Sequence, residues 1–250
     1  MRSEPENKPL DENLKREAFI QACAGLGATV TLGWLAHALL DFPATEIAIA
    51  ALIFVLFMGF ILLWLPEHSP HRRLGTANRI TINRAALVAN LAAASVYPSI
   101  FASHGIAMTA VMAVTFALDG VDGWFARRFT QSSNFGARLD QELDALFTLV
   151  LAIALFRMEK TGAWILIAGA WHYIFQGLRG AFPIFRNPLP FSHRRRIICG
   201  AVVASLIASL SPFLPPRYGE ILALAAVMLL SASFLIDIGW QLRRKSSTRR

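Results

Sequence analysis

Asp119-Gly-Val-Asp122-Gly123-Trp-Phe-Ala126-Arg127, followed after eight residues by Gly136-Ala-Arg-Leu-Asp140-Gln-Glu-Leu-Asp144, places four carboxylates inside an otherwise apolar sequence. A carboxylate at the centre of a membrane-spanning helix costs on the order of 2.5–3.5 kcal/mol, so it rarely sits there without a task. Asp119 and Asp122 are three residues apart, and Asp140 and Asp144 are four apart. Each pair therefore shares one helix face. Two such pairs brought face to face make an all-oxygen cage suited to hard divalent cations such as Mg²⁺.

Around this stretch the chain has 250 residues, of which 55% are hydrophobic and only 16% charged, with a mean hydropathy of +0.49. Together with repeated long apolar runs, this composition indicates an all-α integral membrane protein rather than a soluble domain of the same length. The net charge of +8 does not point to nucleic acid. Its basic residues sit in the gaps between apolar runs, where orientation signals belong. Cys23 and Cys199 lie within apolar runs and indicate neither a disulfide framework nor a zinc site.

The apolar segments run near 18–40, 46–65, 80–98, 106–128, 136–156, 162–183, 197–213 and 218–240, which predicts about eight spans. If the N-terminus is cytosolic and the spans alternate, the cytosolic side holds all 24 Lys and Arg residues except Arg157, Lys160 and Arg217. That asymmetry predicts both termini in the cytosol. Ala36-His-Ala38 resembles a signal-peptidase site. The run before it is long for a signal peptide, however, and is preceded by Glu4, Glu6, Asp11, Glu12 and Glu17, so the expectation is a retained helix.

Two parts follow from this reading. Residues 1–66 are a polar tail and a two-span N-terminal extension without obvious chemistry. After the proline-broken link Pro66-Glu-His-Ser-Pro-His-Arg-Arg73, a six-span domain over 67–250 carries everything else. Asp122 falls roughly 9 Å, and Asp140 roughly 6 Å, inside the cytosolic ends of their helices. The two acidic pairs thus sit at similar depth on adjacent antiparallel helices, which supports one metal site just below the cytosolic surface.

The full pattern, Asp-x2-Asp-Gly-x2-Ala-Arg-x8-Gly-x3-Asp-x3-Asp, resembles that of the CDP-alcohol phosphatidyltransferase family. A second feature agrees: Asn78-x2-Thr81-x2-Arg84 resembles the motif before that family's first core helix. The resemblance covers about 67–250 and implies a six-helix bundle, from which the two leading spans depart. It implies transfer of a phosphatidyl-type group from a CDP-linked lipid such as CDP-diacylglycerol to an alcohol acceptor, with release of CMP, in phospholipid synthesis. Asp119, Asp122, Asp140 and Asp144 would hold Mg²⁺ or Mn²⁺, and Asp144 matches the family's general base. Contacts to the CDP-lipid are implied at Asn78, Thr81, Gly123, Ala126, Arg127, Ser133 and Gly136. The alternative for Gly123 and Gly136 is tight helix packing, and for Thr81 a helix cap. Homodimerisation is implied in the same way; the expected location is a bacterial cytoplasmic membrane, with the site facing the cytosol as the basic-residue asymmetry orients it.

For the acceptor, Arg179, Arg186, Arg194, Arg195 and Arg196 gather near cytosolic helix ends. They suit a phosphorylated acceptor such as glycerol 3-phosphate or inositol phosphate. Positive-inside anchoring and anionic lipid headgroups explain them equally. Phosphatidylcholine synthases resemble a longer-spaced variant of the pattern, so the resemblance disfavours choline as the acceptor. His172 reads as a packing histidine, and His68-x2-His71 lacks a third ligand for a metal. Asp237 can pair with Arg243 or Arg244 or serve a subunit contact, and Glu142 lies off the Asp140/Asp144 face. A cation transporter and a catalytically silent membrane scaffold are the competing classes. The acidic residues concentrate at one depth, whereas a transport path should continue across the bilayer.

Overall fold

The computed structural model describes residues 11–68, 71, 73–128, 133–186 and 192–247, leaving out the side chains of 122–127, 186 and 244–247. The described residues are helical, with no strand among them. The helices are α1 (Glu12–Leu40), α2 (Thr45–Leu62), α3 (Thr76–Ala94), the short α4 (Pro98–Ser103), α5 (Gly105–Arg128), α6 (Asn134–Arg157), α7 (Leu166–Ala181), α8 (His193–Leu210) and α9 (Pro216–Ser247). Every apolar run expected to span the membrane lies largely on one of these helices. By length and composition, Glu12–Leu40, Thr45–Leu62 and Pro216–Arg243 are long and apolar enough to cross a bilayer.

Boundaries moved where local chemistry dictates. α1 starts six residues before its apolar run because Asp11 caps it, accepting the Asn13 N–H at 2.9 Å. The run near 80–98 breaks at Ala94, and Pro98 opens α4 in its first turn. A helix interior would need the N–H that proline lacks, whereas a first turn would not.

The chain forms two compact units, residues 1–93 with 117–143, and residues 94–116 with 144–250. In the first, α1 and α2 make a hairpin. Asp41 takes the left-handed conformation (φ 56°) that ends α1. The hairpin closes tightly at Gly25, where a Cβ would come within 2.5 Å of the Phe54 ring. Small residues at such crossings let backbones approach, the main source of helix association where lipid removes the hydrophobic drive. Glu17 of α1 accepts the Leu74 N–H at 3.0 Å, and Asn90 of α3 donates to the Thr29 carbonyl at 3.2 Å. These bonds tie α3 to α1.

In the second unit, Gly169 of α7 would place a Cβ 2.5 Å from the Leu149 backbone of α6. Trp171 stacks on Phe234 and donates to Ser231 at 2.7 Å. His172 meets Tyr173 edge-on. Lys160 donates to the carbonyls of Ser209, Leu210 and Ser211, at 3.3, 2.7 and 3.3 Å, and so closes the C-terminus of α8. Burial lowers the pKa of its ammonium. Outward-facing side chains such as Phe19, Leu39, Leu56, Ile197 and Met228 are apolar and uncovered, as expected where the solvent is lipid.

Candidate metal centre and active site

The acidic motif is organised by a residue from α3. Arg84 is 2% exposed. Its Nη1 donates to Asp119 Oδ1 at 2.5 Å and its Nη2 to Asp140 Oδ1 at 3.3 Å. A buried guanidinium needs such partners, and its planar fork suits two carboxylates better than an ammonium would. In turn it offsets the repulsion between two like charges brought close by α5 and α6.

Asp144 follows Asp140 by one turn of the same unbroken helix, so helix geometry alone sets it on the same face. One carboxylate oxygen from each of Asp119, Asp140 and Asp144 lies within 4.8 Å of the other two. All three residues are half-buried. Three hard oxygen donors, converging and reachable from solvent, fit a divalent cation such as Mg²⁺ or Mn²⁺. Asp122, Gly123, Ala126 and Arg127 lie on α5, but their side chains are outside the described residues.

The remaining positions expected to contact a CDP-lipid have structural partners. Asn78 is buried, and its Nδ2 donates to the Leu74 carbonyl at 2.6 Å, within α3's first turn. Thr81 lies inside α3 rather than at its cap and donates to the Ala77 carbonyl at 3.0 Å. Ser133 precedes α6, and its Oγ accepts the Gly136 N–H at 3.0 Å, so it caps the helix that carries Asp140 and Asp144. Gly136 is where α3 meets α6: a Cβ there would lie 2.6 Å from Asn78 Oδ1 and 3.2 Å from Ser133 Oγ. Asn78 cannot turn aside without losing its bond to Leu74. Gly136→Ala is therefore expected to destabilise the fold by about 1–3 kcal/mol. Asn78→Ala in the same chain should recover part of that loss. Thermal unfolding in detergent measures both, and an unchanged midpoint for Gly136→Ala would contradict the packing account.

Of the acceptor candidates, Arg194 and Arg195 bond Asp237 of α9, at 2.7 and 3.4 Å. Arg196 is exposed, Arg179 is half-buried in the last turn of α7, and the Arg186 side chain is outside the described residues. Arg84 was not among the expected site residues. Its only sequence signal was the charged end of the Asn78-x2-Thr81-x2-Arg84 motif.

Residues 74–236 match the model of the CDP-alcohol phosphatidyltransferase family. This chain belongs to that family. The matched segment contains Asp119, Asp140, Asp144 and Arg84. A 46-residue stretch is also 51% identical to CDP-diacylglycerol–inositol 3-phosphatidyltransferase 1 of Arabidopsis thaliana, covering 18% of this chain and 20% of that protein. The match thus spans about a fifth of that relative's length. No solved structure matches the chain.

Proposed function

We propose that this protein transfers the phosphatidyl group of CDP-diacylglycerol to an alcohol, releasing CMP, in phospholipid synthesis. The observation that carries this reading is the Arg84-bridged pair Asp119 and Asp140, with Asp144 one turn on, inside the segment that matches the family. Asp119, Asp140 and Asp144, with Asp122, would hold the metal. When bound, Mg²⁺ or Mn²⁺ neutralises diphosphate charge and stabilises the departing CMP.

Asp144 takes the proton of the acceptor hydroxyl while that oxygen bonds to the β-phosphorus. The bond from this phosphorus to the bridging oxygen breaks, and its electron pair leaves with CMP. Arg84 holds Asp119 and Asp140 in register throughout. Asn78, Thr81, Gly123, Ala126, Arg127, Ser133 and Gly136 line the approach of the CDP-lipid.

The acceptor is a polyol or its phosphate. The plant relative's name supports inositol, and Arg179, Arg186 and Arg196 suit a phosphorylated form. The basic-residue asymmetry supports eight spans, with both termini and the site on the cytosolic face of a bacterial cytoplasmic membrane. Residues 1–66 form the extension and 67–250 the catalytic part, and the protein works as a homodimer.

The test is CMP release by purified protein with CDP-diacylglycerol and Mg²⁺, against inositol, inositol phosphate, glycerol 3-phosphate and serine. Release with one acceptor, abolished by a chelator, is expected. Release from none, together with no binding of CDP-diacylglycerol, would overturn the proposal in favour of a transporter or a silent scaffold.

A further inference from the structure

We propose that Trp64, at the end of the two-helix N-terminal extension, and His68, in the link that follows it, are positioning residues that seat the start of α6 and so hold the register of Asp140 and Asp144. The link to catalysis rests on the transferase reading above; the seat itself rests on geometry alone. Both residues precede residue 74, where the family match begins.

His68 closes a 3-10 turn, Leu65–His68, and is 1% exposed. Its Nε2 lies 2.8 Å from the Arg73 carbonyl, which can only accept, so Nε2 carries the proton. The neutral ring then offers Nδ1 as an acceptor, and Ser133 Oγ lies 2.8 Å from it. Ser133 donates there while its Oγ accepts the Gly136 N–H at 3.0 Å. One tautomer of His68 thus orients the hydroxyl that caps α6. Burial, together with the neighbouring His71, lowers the pKa of His68, which favours this neutral form. The same ring meets buried Phe135 edge-on, with centroids 5.5 Å apart.

Four residues earlier, the Trp64 ring lies 3.3 Å from the Arg138 guanidinium carbon, a cation–π contact on the next turn of α6. Ser133, Phe135, Gly136 and Arg138 are therefore all fixed from 64–68, just ahead of Asp140. A helix frays from its end unless the end is held. Fraying here would travel directly into the acidic face.

The experiment combines amide hydrogen exchange over residues 133–140 with steady-state kinetics of CMP release. His68→Ala is expected to speed exchange in this segment about tenfold, the scale of a lost cap. It should lower kcat by a similar factor, with KM for the acceptor within about twofold. His68→Asn, whose carbonyl can accept from Ser133, should restore most of both. Trp64→Phe, which keeps an aromatic face, should behave like the wild type, whereas Trp64→Leu should not. Exchange unchanged in His68→Ala, or equal loss in His68→Asn, would overturn the seat. Faster exchange with unchanged kcat would overturn the positioning role and leave the transferase reading standing. If the wild type releases no CMP, the transferase reading fails and the catalytic role with it, while exchange still decides the seat.

Discussion

Asp144→Asn is expected to lower kcat for CMP release by about 10³-fold while the protein still folds. Loss of a general base alone is worth roughly 10²–10⁴-fold, and the neutral amide is also a poorer ligand for a hard cation. Folding should survive because Asp144 is half-buried and the change is nearly isosteric. One turn back on the same helix is Asp140. Asp140 bonds Arg84, so Asp140→Asn should lower both activity and the unfolding midpoint. Kinetics and thermal unfolding on both variants separate the roles. An Asp144→Asn enzyme that kept a tenth of wild-type kcat would remove this carboxylate from the reacting centre.

Arg84→Leu should give the largest loss of stability of any single change at the site, about 3 kcal/mol. Leucine fills much of the space but leaves Asp119 and Asp140 facing each other without the guanidinium. Their partial exposure, 35% and 43%, lets solvent take up some of the charge and keeps the loss at the lower end for a broken buried pair. Mg²⁺ should therefore raise the unfolding midpoint more in Arg84→Leu than in the wild type, because it supplies the missing positive charge. Arg84→Lys should fall between the two, since it restores charge but not the fork. Thermal unfolding with and without Mg²⁺ checks this. Equal midpoints for Arg84→Leu and wild type would show that the bridge contributes nothing.

Much of the helical layout and of the acidic site was legible from the chain, because both depend on local periodicity. A carboxylate three or four residues from another shares its face whatever the rest of the protein does. A long apolar run likewise forms a helix almost independently of its neighbours. Partner choice was not legible. Arg84 read as the charged end of the Asn78-x2-Thr81-x2-Arg84 motif, with no role of its own, yet it bridges carboxylates 35 and 56 positions away. Asp237 read as a partner for Arg243 or Arg244 on its own helix or as a subunit contact, and the structure adds Arg194 and Arg195 of α8. Ser133 and Gly136 read as contacts for the lipid nucleotide; the structure additionally gives one a capping hydroxyl and the other a packing notch against Asn78.

By itself, then, the chain of residues determined that four aspartates pair off on helix faces within apolar surroundings, since spacing and burial cost are properties of the covalent sequence. Only the tertiary structure decided that a buried arginine from α3 reaches Asp119 and Asp140, and that a histidine from outside the family segment orients the cap of α6. Those contacts join residues dozens of positions apart. No local period encodes them; they exist because small residues let particular helices approach closely enough for particular side chains to meet.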